Sequence, residues 1–162
     1  MKGDASMKKT HVVMIAVALV LALSGSVMAV DIDTLDKVSV FMPKSEVIAI
    51  LGPPDDVLDV GAGLQAEVYK MEGIDPMMGT GCIYDGDRLA GQSFMFAGEM
   101  TAGAAERLKK HGFALLEEKN AAYRLLGKDD DTGRVFVVHV FTEMGMTIVM
   151  TFEKEFYDRH KK

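Results

Sequence analysis

Residues 134–142 constrain this chain more than any other segment. Val135, Val137, His139 and Phe141 fall on one face of a strand, and Phe136, Val138, Val140 and Thr142 on the other. Successive strand side chains point to opposite faces, and here both faces are apolar. Such a strand belongs inside a sheet and needs cover on both sides. The next segment reads differently. Met146, Ile148, Met150 and Phe152 alternate with Thr147, Val149, Thr151 and Glu153, the pattern of a half-buried strand.

Other elements follow from local signals. Pro43 opens a helix whose apolar face is Val47, Ile48, Ile50 and Leu51; Gly52 ends it, and Pro53-Pro54 bars continuation. Residues 55–63, rich in Gly and Asp, read as a loop, and residues 64–71 as a strand. Residues 73–79 read as a second loop. Residues 81–84 and 89–96 form a hairpin about Asp85-Gly86-Asp87, because Asp-Gly supplies the positive φ of a tight turn. The pattern then restarts. A helix from Thr101 to His111 ends at Gly112, with Phe113 placed to pack on Leu108 as in a Schellman stop. A hairpin about Lys119-Asn120 and the two strands above complete the series, and the charged residues 157–162 read as a frayed end.

These elements predict an α+β fold, an antiparallel sheet with helices packed on one face. They further predict tandem α-β-β-β units over residues 38–97 and 98–157, within one domain spanning 30–162.

Residues 1–29 read as a secretory signal peptide. Lys8-Lys9 is the charged start, residues 12–23 are unbroken apolar sequence, and Val27-Met28-Ala29 fits the small-x-small cleavage rule. Twelve apolar residues are too few for a membrane span, which needs about 20. The address is therefore periplasmic or secreted. No Cys follows the cleavage site to carry a lipid, so the mature chain has no membrane anchor there. Cutting after Ala29 removes three lysines and one aspartate, so the net charge of −6 becomes −8 over 133 residues. Nucleic-acid binding needs a basic stripe, and this chain has none. Anionic lipid surfaces would repel it as well.

Cys82 is the single cysteine and cannot form an internal disulfide, so the core has to supply the stability. It is either a buried small hydrophobe or a free thiol, and no basic sequence neighbour lowers its pKa.

The run Pro43-Lys44-Ser45-Glu46-Val47-Ile48-Ala49-Ile50-Leu51-Gly52-Pro53-Pro54-Asp55 resembles the signature helix of the SmpA/OmlA (BamE-like) domains. In these a helix ends in Leu-Gly-x-Pro, and a strand carrying an aromatic follows, here Glu67-Val68-Tyr69. A tandem arrangement similar to the β-lactamase-inhibitor protein fits the suspected duplication. The resemblance covers about a quarter of the mature chain. It implies an extracytoplasmic module that binds or scaffolds another protein and has no enzyme activity.

Candidate chemistry is sparse. No phosphate-cradling glycine motif, nucleophile elbow or zinc motif is present, so no catalytic residue and no cofactor is assigned. Met77 and Met78 near Cys82 form a soft-ligand cluster of the kind that binds Cu(I). Asp55, Asp56 and Asp59, with Tyr69, Met77 and Met78, form the candidate binding surface. The expected function is an exported, soluble, non-enzymatic protein-binding or scaffolding module whose partner is an envelope or extracellular protein. The alternative is a periplasmic copper or thiol protein using Met77, Met78 and Cys82.

Overall fold

A computed structural model describes residues 32–35, 37–71 and 76–161. The expected signal peptide lies outside the described residues. The chain forms one eight-stranded antiparallel sheet in the order β1-β2-β3-β4-β8-β7-β6-β5. The strands are β1 (Asp56–Gly61), β2 (Leu64–Lys70), β3 (Met77–Asp85), β4 (Arg88–Ala97), β5 (Ala114–Lys119), β6 (Ala122–Lys128), β7 (Val135–Glu143) and β8 (Met146–Glu153). The helices are short: α1 (Ile32–Leu35), α2 (Lys44–Leu51), α3 (Thr101–Lys110) and α4 (Lys154–His160). Each half of the sheet is a four-strand meander. The halves join through β4 and β8, with Phe94 opposite Val149 and Gly91 opposite Phe152.

Strand alternation sorts the side chains onto two faces. The first face carries Tyr69, Cys82, Phe94, Phe96, Leu125, Phe136, Val138, Val140 and Val149, all buried. α2 covers one end of it, with Val47 against Val38, Tyr69, Cys82 and Leu89. α3 covers the other end through Ala104 and Leu108. The segment before α2 joins the two regions: Leu35 and Val40 enter the α3 cluster and Val38 the α2 cluster. Phe41 follows with φ 86°, a strained value for an aromatic. Its ring is fixed by Arg134 at 3.8 Å, Arg88 at 5.0 Å and Phe136 at 6.0 Å, and its amide donates to the Leu89 carbonyl at 2.7 Å. Contacts on every side hold the strained conformation in place.

The second face carries Ala66, Ile83, Gly91, His139, Met150 and Phe152. α4 lies on it. Phe156 is buried with Ala66, Ile83 and Ala90, and its ring stacks on Phe152 at 6.2 Å. Tyr157 meets His139 at 5.2 Å.

The predicted fold class is corrected by these observations. The molecule is a single large antiparallel sheet with short helices, and the helices do not share one face. α2 and α3 lie on the first face and α4 on the second. The physical reason is β7, which is apolar on both faces and needs a second cover. The units are not α-β-β-β either, because residues 55–63 contain a strand, β1. The helix-plus-three-strand unit implied by the resemblance to SmpA/OmlA domains, and the inhibitor-like arrangement attached to it, is therefore not what this chain forms. Of the C-terminal residues read as frayed, 157–160 instead belong to α4.

The stop of α3 follows its sequence signal. Gly112 takes φ 90°. The Phe113 amide donates to the Leu108 carbonyl and the Gly112 amide to the Lys109 carbonyl, each at 3.1 Å. This is the Schellman pair, and Phe113 then packs in the same cluster as Leu108.

Candidate functional site

β1 is the outer strand of the sheet beside β2, and all six of its residues are exposed. Val57, Leu58 and Val60 are exposed by 48 %, 47 % and 43 %, large fractions for apolar side chains. An edge strand has a neighbour on one side only, so both of its faces lose cover. In register with β2, Val57 lies opposite Glu67 and Asp59 opposite Gln65. These four side chains share the first face of the sheet, beside the first residue of α2.

A cleft of about 470 Å³ opens there, lined by Val57, Asp59, Gln65 and Glu67 on the strands and by Lys44 and Tyr84 on the inner wall. α2 begins at Lys44, which places its ammonium in an ion pair with Glu67 and 4.9 Å from the centre of the Tyr84 ring. The Tyr69 hydroxyl donates to the second Glu67 oxygen at 3.3 Å.

The wall behind the cleft is dry. Burial, with the nearby Cys82 and Glu67 adding to it, pushes Tyr69 up to about 12. Burial also pushes the Cys82 thiol up to about 12, and it raises Tyr84 further still. The Tyr84 hydroxyl is buried beside Tyr69 and Cys82. A thiol this far above its ordinary value is protonated at neutral pH and does not act as a nucleophile.

The three aspartates of the hairpin bind its backbone. Asp56 Oδ1 accepts from the Val57 amide at 2.8 Å, and Asp59 Oδ1 from the Gly61 amide at 2.8 Å. Asp55 Oδ2 accepts from the Lys70 amide at 2.7 Å. None of the three has an ion-pair partner among the described residues.

Asp55 precedes β1, Asp56 and Asp59 lie on opposite faces of it, and Asp59 alone of the three lines the cleft. Tyr69 is 3 % exposed and stands behind the cleft, not on it. Met77 is buried with Phe94 and Phe96, whereas Met78 is exposed at the start of β3. Cys82 belongs to the separate cluster under α2. Met78 and Cys82 are four residues apart on one strand, about 13 Å, so the structure does not gather Met77, Met78 and Cys82 around one ion. Sequence reasoning missed Lys44, Val57, Leu58, Gln65, Glu67 and Tyr84. A signal existed: Gly61-Ala62-Gly63 separates two apolar runs, the mark of a hairpin with a short glycine turn.

The chain matches no protein-family model and no curated protein. Among solved structures it is similar to an extracellular protein containing an SCP domain from Bacillus anthracis str. Ames, at 10 % identity and a TM-score of 0.43, over 74 % of this chain and 46 % of that one. It is also similar to a cysteine-rich secretory protein from Staphylococcus aureus subsp. aureus Mu50, at 11 % identity and a TM-score of 0.41, over 73 % and 46 % of the two chains. The chain spans less than half the length of either structure. The resemblance around Pro43-Lys44 to the SmpA/OmlA domains is likewise matched by no family model.

Proposed function

We propose that this chain is an exported, non-enzymatic protein-binding module and that β1 with its adjoining cleft is the docking face. The observation that carries the reading is the exposure of Val57, Leu58 and Val60 on one edge strand. Large apolar side chains left exposed along one strand mark an interaction site on both sides of that strand, and an open edge offers backbone groups to a partner strand. Export rests on the charged start, the twelve-residue apolar run and the Val27-Met28-Ala29 site in the sequence. The partner is then an envelope or extracellular protein.

The test is photo-crosslinking in cells. A photoreactive residue at Leu58 gives a discrete protein adduct, and the same residue at Ala102, exposed on α3, gives none. Adducts at both positions or at neither contradict docking at β1.

A further inference from the structure

Resting on β1 as the docking face, the geometry points to one class of partner segment. We propose that β1 receives an extended, cationic segment, which adds to the sheet as a ninth strand and draws Asp56 and Asp59 away from the backbone groups they now occupy.

Asp56 and Asp59 serve two roles at this edge. Each carboxylate holds an N–H of the hairpin, Val57 and Gly61 respectively, at 2.8 Å. Those donors are not freely offered to a passing neutral strand, which is one way native edges resist unwanted pairing. Each carboxylate is also exposed and lacks an ion-pair partner among the described residues. A lysine or arginine on an incoming strand competes for the carboxylate and frees the amide in the same event. The edge therefore discriminates by charge: it stays capped toward neutral or acidic strands and opens to basic ones.

A second copy of this chain brings the same three aspartates to the edge, and paired about Val57 it sets Asp55 opposite Asp59 twice, a like-charge opposition that destabilises a sheet. The other open edge, β5, carries Glu117, held by Arg124, beside the acidic Glu118. The apolar residues between the charges supply the contact that holds a basic strand once it arrives. Beside them, Asp59 lines the cleft and offers its carboxylate to a cationic side chain from the ninth strand, while Glu67 is already paired with Lys44.

The experiment titrates the whole mature protein, labelled with nitrogen-15, with a Lys-Val-Lys-Val-Lys-Val peptide and separately with Glu-Val-Glu-Val-Glu-Val. The basic peptide shifts the amide signals of Val57, Asp59 and Gly61 and slows their hydrogen exchange. The acidic peptide leaves them unchanged. Asp56→Asn with Asp59→Asn keeps an acceptor at both positions and weakens binding of the basic peptide about fivefold or more. Equal binding of the two peptides, binding that leaves the β1 amides unmoved, or an unchanged affinity in the double variant overturns the proposal. A crosslink from Leu58 that persists after such a failure keeps β1 as the docking face and removes only the cationic strand. A silent Leu58 removes the docking face itself.

Discussion

Phe152 lies over Gly91 on the neighbouring strand so closely that a Cβ at position 91 would meet two ring carbons at 2.6 and 2.8 Å. The ring has little room to yield, since His139, Phe156 and Tyr157 stand around it at 6.1 to 6.2 Å. This pair ties the two halves of the sheet together and floors the seat of α4. Gly91→Ala therefore overpacks the seat and costs about 1–3 kcal/mol, read as a lower urea midpoint. An unchanged midpoint would show that the ring is free to move and that α4 is loosely held.

Cys82 is fully buried under α2, and burial holds its thiol near 12. A maleimide probe at about pH 8, near the ordinary thiol pKa, leaves it unmodified in the native protein and labels it fully in denaturant. Stoichiometric labelling of the native protein would contradict the packing of α2 over β3.

His139 faces α4 from β7 and has a buried Nε2 without a hydrogen-bond partner among the described residues. Burial lowers its pKa, Arg124 lowers it further, and Glu117 opposes them. The unfolded state thus takes up the proton first as pH falls, so stability is complete above about 6.5 and declines below it toward the lower folded value. His139→Phe retains a ring beside Tyr157 and Phe152 and removes the titration. Between neutral pH and pH 5 the native protein loses more thermal stability than this variant does. Equal losses would place the acid sensitivity elsewhere.

The parts of the fold that were legible in the sequence are those where packing imposes a period. Residues 135–142 announce an interior strand, and the Leu108–Phe113 stop is written in Gly112. The same segment carried a consequence that a single helical face could not satisfy: Val137, His139 and Phe141 required a cover opposite α3. That cover, α4, was hidden because its charged sequence offers only Phe156 and Tyr157 as anchors. β1 was hidden for the opposite reason. An edge strand exposed along its whole length has no buried face to impose alternation, and Asp56 and Asp59 made it look like a loop. Hence Asp55, Asp56 and Asp59 were legible as surface, while Lys44, Glu67 and Tyr84 reach the cleft only through folding.

The central claim is that the chain docks a partner along β1, and the two open edges of the sheet test it against each other. Leu58 on β1 and Leu116 on β5 are exposed by 47 % and 51 %, so accessibility does not distinguish them. With a photoreactive residue at each position in turn, crosslinking in cells is predicted to trap a discrete partner from position 58 and none from position 116. Adducts of equal yield from both edges, or from position 116 alone, would contradict it.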